Sequence, residues 1–272
     1  MADFVTRFAP SPTGRLHLGH AFSALTAFDA ARAACGRFLL RIEDLDAGRC
    51  RPEFDAAIFE DLAWLGIDWE TPVRRQSEHM GAYARVLDDL IARGLVYRDF
   101  RTRRELADES QQAPHGPAEV VRGGPAPDEA ERLAARQPFA WRLWLDRALD
   151  AIDGPLAFDC DGVRTHAEPH RLGDAILARK DFPTSYHLAS VHDDALQGVT
   201  HVIRGEDLRE AAHLHVLLQK LMGWPTPAYR HHALIVGADG KRLAKRDRAA
   251  TLHALRETGE TADAVRRRLG LT

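Results

Sequence analysis

His17 and His20 close the stretch RFAPSPTGRLHLGH at residues 7–20, where a short apolar run meets a Pro/Gly turn and a helical pattern begins. The first turn of a helix carries amide N–H groups without intrahelical partners and the positive end of the macrodipole, so an anion can dock there. Two imidazoles on that turn add donors for the same anion, which suits a nucleotide attacked at its α-phosphorus. A second cationic stretch, KRLAKRDR at 241–248, follows an Asp239-Gly240 turn. Charge runs usually form a solvated face, but one set directly after a strand and a tight turn can close over phosphates.

Two other chemistries compete for the first stretch. Gly14 and Gly19 have the glycine spacing of a P-loop, yet His20 and Ala21 stand where its lysine and hydroxyl residue belong, so the groups that hold phosphate and magnesium are missing. A zinc site built on the two histidines lacks a third ligand nearby. Cys35, Cys50 and Cys160 are too few and too scattered for a disulfide framework or a Cys-x-x-Cys metal site. They read as ordinary thiols in a reducing cytosol.

The elements that must position these residues follow an α/β pattern. A β-prone run at 4–9 is stopped by Pro10 and Pro12, a helix spans 17–35 with Leu18, Phe22, Leu25 and Phe28 on one face, and Gly36 is expected to supply a left-handed stop. RFLLRIED at 37–44 then gives a second strand ending at Glu43, and strand, helix, strand opens a parallel sheet. Helices are expected from Pro52 to Leu65 and over 78–93. The stretch 101–138 turns charged and rich in Pro, Gly and Gln, which reads as an insert, and 139–145 with 156–163 look like two strands of a small antiparallel element. The α/β pattern resumes after Asp174 with helices at 186–194 and 208–222 and strands at 198–204 and 232–236. One or two short helices at 251–269 complete the chain.

Composition bounds the rest. With 272 residues, 45% hydrophobic and 28% charged, the chain can build one large domain, or a core plus an insert. A net charge of -3 excludes a whole-chain basic signature, so any nucleic-acid contact must rest on local patches. No apolar run approaches the roughly 20 residues of a membrane helix, and no cationic segment precedes an apolar one at the N-terminus. A cytoplasmic protein without membrane contact is expected.

RFAPSPTGRLHLGH resembles the His-Ile-Gly-His signature of class I aminoacyl-tRNA synthetases in its glutamyl version, and Arg242-Leu243-Ala244-Lys245-Arg246 resembles their Lys-Met-Ser-Lys-Ser loop. RIEDLD at 41–46, PTSYHLASVHDD at 183–194 and GVTHVIRGEDL at 198–208 are also similar to that family, over nearly the whole chain. The resemblance implies a Rossmann-like parallel-sheet catalytic domain over 1–97 and 174–240, an inserted α+β lobe over 98–173, and a basic loop with a helical tail over 241–272. It implies activation of L-glutamate by ATP with Mg2+, through an aminoacyl-adenylate. His17 and His20 would bind the ATP phosphates, with Arg242 and Lys245 acting on them from the loop. Arg7 and Arg204 would meet the substrate carboxylate, assisted by the Tyr186 hydroxyl, while Glu43 meets the ammonium and Ser11 lies in the closing loop.

Several positions depart from the family pattern. Arg242 and Ala244 replace a lysine and a serine. His187 stands where asparagine or glutamine is usual, and Ser190 and His192 where valines are. Relatives often carry Cys-x-Cys just after the tyrosine of the insert's first strand, whereas here Arg98 and Phe100 follow Tyr97, so no structural zinc is expected. Packing of Phe100, Phe139, Trp141 and Trp144 is expected to hold the insert instead. Only 24 residues follow Arg248, at most about 36 Å of helix at roughly 1.5 Å per residue, too little for an anticodon-binding domain. That departure resembles shortened paralogues of the family, which implies tRNA-independent activation and transfer of glutamate to the queuosine base in the anticodon of tRNA(Asp). A monomer is expected. RNA contacts would fall on Arg98, Arg101, Arg103, Arg104, the basic loop and Arg266 to Arg268. Two alternatives stay open: a synthetase catalytic fragment charging the tRNA 3' end, and a non-catalytic nucleotide- or RNA-binding paralogue.

Overall fold

The computed structural model describes residues 3–102, 105, 121–179, 183–235 and 251–271. In chain order the strands are β1 (Val5–Phe8), β2 (Arg37–Ile42), β3 (Glu70–Arg75), β4 (Val96–Asp99), β5 (Ala140–Leu143), β6 (Ala157–Cys160), β7 (Val163–His166), β8 (Ile176–Arg179), β9 (His201–Gly205) and β10 (Ala228–His232). The helices are α1 (Leu18–Ala33), α2 (Pro52–Trp64), α3 (Met80–Ala92), α4 (Glu129–Ala134), α5 (Leu145–Asp150), α6 (Tyr186–Leu196), α7 (Arg209–Leu221), α8 (Leu252–Glu257) and α9 (Ala262–Arg268).

β1, β2 and β3 pair in parallel, with Arg7 opposite Leu39. β3 lies at the sheet edge and carries Pro72, which an edge strand tolerates because one side of its ladder needs no N–H. On the other side of β1, the Thr200 amide donates to the Val5 carbonyl at 2.9 Å, bringing β9 alongside. β9 pairs in parallel with β10, and the β6–β7 hairpin joins β10 where Tyr229 faces Cys160.

Three sequence expectations change. The segments 139–145 and 156–163 do not pair with each other: β5 is taken on both edges by β4 and β8, while β6 turns at Asp161-Gly162 into its own partner β7. The strand expected at 232–236 runs earlier, over Ala228–His232, with Tyr229 and His231 buried. Its inward polar residue masked the apolar alternation. At the end of α1 the left-handed residue is Cys35 (φ 49), not Gly36. Gly36 is needed for a different reason, since a Cβ there would come within 2.2 Å of the Phe4 carbonyl oxygen.

Because successive side chains in a strand point to opposite faces, β2 feeds two cores. Phe38, Leu40 and Ile42 pack with Leu25 and Phe28 of α1, Ile58 and Leu62 of α2, and Leu252, Leu255 and Val265 of the tail helices. Leu39 faces the other core, with Leu188 and Val191 of α6 and Leu214 and Leu217 of α7.

Charge is buried at the seam between these layers. Asp194 of α6 accepts from Arg7 Nε at 2.9 Å and from Arg41 Nη1 at 2.7 Å, and all three residues are buried. Burial alone would raise the Asp194 pKa, but the Coulombic pull of Arg7 and Arg41 holds it below its ordinary value. Its neighbour Asp193 meets Arg74 at 2.9 Å, the Tyr83 hydroxyl at 2.8 Å and Gln76 Nε2 at 3.2 Å. One turn of α6 thereby pins β1, β2 and β3.

Asp194→Asn should cost about 3–5 kcal/mol of stability by leaving the buried Arg7 guanidinium without a counter-charge and Arg41 with that of Glu43 alone; an unchanged urea midpoint would contradict this. A second expectation concerns Asp61 of α2, fully buried with neither carboxylate oxygen hydrogen-bonded among the described residues. Burial pushes its pKa up to about 6, with Arg256 offsetting part of the effect. A carboxyl raised in the folded state favours folding when protonated, so stability should fall as pH rises through about 4 to 6, by a total on the order of 3 kcal/mol. Asp61→Asn should remove that slope in denaturation curves recorded from pH 4 to 8.

Candidate functional site

α1 starts where the loop after β1 turns back over the sheet. His17 is its N-cap: its Nδ1 accepts from the Gly19 amide at 3.1 Å, and His20 Nδ1 accepts from the His17 amide at 3.2 Å. Each ring spends Nδ1 on the helix's own amides, which places the proton of the neutral imidazole on Nε2. Part of the anion-binding capacity expected of the helix start is therefore taken by self-capping, and the histidines can offer Nε2–H groups instead. A Cβ on Gly19 would lie 3.1 Å from the His17 ring, so glycine lets the ring lie against the turn.

A cavity of about 500 Å³ opens over this turn, lined by His17, Gly19, His20, Ser23, Arg7, Glu43, Tyr186, Arg204, Asp207 and His232 among others. A larger one of about 850 Å³ lies toward β5 and β8, with Ser11, Thr13, Asp46, Arg49, Arg142, Asp174, Arg179 and His187 on its wall. Glu43 and Tyr186 line both. The arrangement gives two chambers that share a carboxylate and a phenol. Six sequence-expected residues, Arg7, His17, His20, Glu43, Tyr186 and Arg204, meet at the smaller chamber, and Ser11 lies on the larger. Arg242 and Lys245 lie outside the described residues.

The two expected substrate arginines differ in their electrostatics. Arg7 is already paired with Asp194. Arg204, equally buried, has no carboxylate: its Nε donates to His231 Nε2, and its Nη1 to the Tyr186 hydroxyl and His215 Nδ1, all at 3.4 Å. Its Nη2 is buried with no hydrogen-bond partner among the described residues. A buried guanidinium without a counter-charge beside a phenol has the chemistry to take a carboxylate. Glu43 takes Arg41 Nη2 at 3.0 Å. Burial nevertheless raises its pKa, against the pull of Arg41 and Arg7. Its carboxyl lines both chambers.

Sequence reasoning missed Arg41, Asp194, His215 and His231. A charged residue inside the apolar run RFLLRI was the available signal for Arg41, and the paired aspartates at 193–194 for Asp194. The histidines gave none. Cys160, Asp161 and His231 gather metal-ligand types within 4.8 Å. However, Arg209 donates to Cys160 Sγ at 3.1 Å and to Asp161 at 2.7 Å, and the His231 amide donates to Asp161 at 2.8 Å. A guanidinium occupies the place a metal ion would take.

The insert side is held by two devices. Asp174 accepts from the Tyr97 hydroxyl at 2.9 Å and from the amides of Gly123 and Leu145 at 2.7 and 3.0 Å. The aromatic residues expected there do pack: Phe139 meets Phe100 and Trp141 at 5.6 and 5.5 Å, and Trp144 meets Tyr97 at 6.1 Å. Arg98 stacks on Trp141 at 4.4 Å and pairs with Glu129. Arg98 and Phe100 thus fill the ground after Tyr97 with ring and guanidinium packing, and their side chains offer zinc no ligand atom. Of the arginines expected to meet RNA, Arg101 is paired with Asp99 and Arg266 with Asp29, while Arg103, Arg104 and the basic loop lie outside the described residues.

Comparison with known proteins agrees with this geometry. A family model described as tRNA synthetases class I (E and Q), catalytic domain, matches residues 3–272. A glutamyl-Q tRNA(Asp) synthetase of Rhodobacter capsulatus is 47% identical over 98% of this chain and 100% of its own length. One from Nocardia farcinica is 40% identical over 95% of this chain and 81% of that protein. The crystal structure of a glutamate-tRNA synthetase from Elizabethkingia anophelis superposes with a TM-score of 0.76 at 30% identity, covering 90% of this chain and 53% of that one, so this chain spans about half of it. With the histidine-capped helix start and the chamber around Arg204 in place, these matches show that the chain belongs to the class I tRNA synthetases specific for glutamate and glutamine, in their catalytic domain.

Proposed function

We propose that the protein is a cytoplasmic ligase that activates L-glutamate with ATP, without tRNA, and esterifies it to the queuosine base in the anticodon of tRNA(Asp). The observation that carries the amino-acid assignment is the buried, unpartnered Nη2 of Arg204 beside Tyr186, in a chamber that also holds Glu43, His17 and His20. The acceptor assignment rests on the glutamyl-Q tRNA(Asp) synthetases that align along most or all of their length.

ATP enters with its Mg2+ as substrate. Its phosphates lie over the α1 turn, where His17 and His20 donate from Nε2. Arg242 and Lys245, from the loop at 241–248, act on the same phosphates. The side-chain carboxylate of glutamate meets Arg204 and the Tyr186 hydroxyl. Arg7, neutralised by Asp194, shapes the wall and adds dipole rather than net charge. Glu43 accepts the α-ammonium, and Ser11 lies in the loop that closes the pocket. The α-carboxylate oxygen attacks the α-phosphorus and pyrophosphate leaves. No general base is needed, so rate comes from alignment and from fixed positive dipoles around the equatorial oxygens. A hydroxyl of the acceptor then attacks the glutamyl carbonyl from the larger chamber, and AMP departs. The lobe at 98–173 forms the acceptor side, and the enzyme works as a monomer.

Purified protein should exchange labelled pyrophosphate into ATP with glutamate and no tRNA, and should label tRNA(Asp) only when queuosine is present. A strict tRNA requirement, or labelling at the 3' end of tRNA(Glu), would refute the assignment. Arg204→Gln should raise the KM for glutamate by about 10²-fold or more while shifting that for ATP by less than about 3-fold. The raised pKa of Glu43 has its own consequence. Its charged form holds the ammonium, so the KM for glutamate should climb as pH falls through that value, beginning above the range of an ordinary carboxylate. Glu43→Gln should abolish the step and leave a uniformly high KM.

A further inference from the structure

Among the described residues, Arg7, Arg41, Arg142 and Arg204 are the buried arginines, and the first three each touch a carboxylate. Arg204 is held by nitrogen and phenol acceptors alone. Since a guanidinium only donates, its contacts fix the tautomers around it. His231 accepts at Nε2 and so carries its proton on Nδ1, 3.6 Å from Cys160 Sγ. His215 accepts at Nδ1 and carries its proton on Nε2, which donates to His187 Nδ1 at 3.1 Å. Burial, reinforced by the charge of Arg204, pushes the pKa of His187 and of His231 down to about 4 and that of His215 well below its ordinary value. All three rings are uncharged at neutral pH.

We propose that His215 and His231 are positioning residues that aim Arg204 through neutral acceptors, so that its whole charge is kept for the substrate carboxylate and an anionic side chain is preferred over an amide. This rests on the reading that Arg204 receives the carboxylate of glutamate. An aspartate at either place would orient the guanidinium equally well but would neutralise it, as Asp194 does for Arg7. A substrate carboxylate would then compete with a resident one, and glutamine would lose less than glutamate. His187 stands behind His215 and holds its tautomer, which gives a physical role to a residue that departs from the family's usual asparagine or glutamine.

The test compares charge with shape. The Nδ1 acceptor of His215 is mimicked by the amide oxygen of asparagine, and the Nε2 acceptor of His231 by that of glutamine. In pyrophosphate exchange, His215→Asp should raise the KM for glutamate by about 30-fold or more and cut the glutamate-to-glutamine ratio of kcat/KM by about 10-fold or more, with the KM for ATP little changed. His215→Asn should stay within about 5-fold of the unmodified protein on every parameter. The pair His231→Glu and His231→Gln repeats the comparison if His215→Asp does not fold. Equal behaviour of the acidic and amide variants, or a joint rise in both KM values, overturns the proposal while leaving glutamate activation intact. An unmodified protein that exchanges no pyrophosphate with glutamate overturns the substrate reading itself.

Discussion

The buried carboxylate of Asp194 ties α6 to two strands of the parallel sheet. Two buried arginines from adjacent parallel strands converge on its carboxylate; without it Arg7 would be a charge removed from water with no counter-charge, and Arg41 would keep Glu43 alone. The pairing sets the position of α6 against β1 and β2, and with it the position of Tyr186 at the start of α6. It also sets the two expected substrate arginines apart. Arg7 is neutralised by the fold, so the chamber's available positive charge is that of Arg204, whose acceptors are all neutral. Two superficially equivalent guanidinium groups thus differ: Arg7 is paired with a carboxylate, and Arg204 is held by neutral acceptors.

Around that node the chambers divide the chemistry by position. The smaller sits over the self-capped start of α1, where the missing side chain of Gly19 lets the His17 ring fold back and accept from the Gly19 amide. The larger extends toward the sheet of β4, β5 and β8, held by Asp174 and by stacked aromatic and guanidinium groups. Glu43 and Tyr186 stand in both, the place where the proposed glutamyl carbonyl would face its leaving group on one side and its acceptor on the other. The end of β2 delivers Glu43 and the start of α6 delivers Tyr186, as expected of a parallel sheet whose ligands gather at the carboxyl edge.

Much of this was legible in the sequence, and the failures have physical reasons. α1 and β2 announced themselves by period, and His17, His20, Glu43, Tyr186 and Arg204 by motif and strand end. β3 was hidden because ETPVRR has one aliphatic side chain and a proline, which only an edge position tolerates. β10 was hidden because a buried histidine stands where the pattern would want an aliphatic residue. Arg41 and Asp194 are 153 residues apart in the chain, and no local pattern reports a pairing at that distance. The histidines around Arg204 were invisible for the same reason: neutral acceptors become meaningful only once the cation they surround is seen to lack a carboxylate.

The most direct measurement is a crystal structure with a non-hydrolysable glutamyl-adenylate analogue bound. The account requires the side-chain carboxylate on Arg204 Nη2 and the Tyr186 hydroxyl, with Asp194 still paired to Arg7 and Arg41. A carboxylate seated on Arg7 with Asp194 displaced, and Arg204 turned to a protein carboxylate, would contradict it.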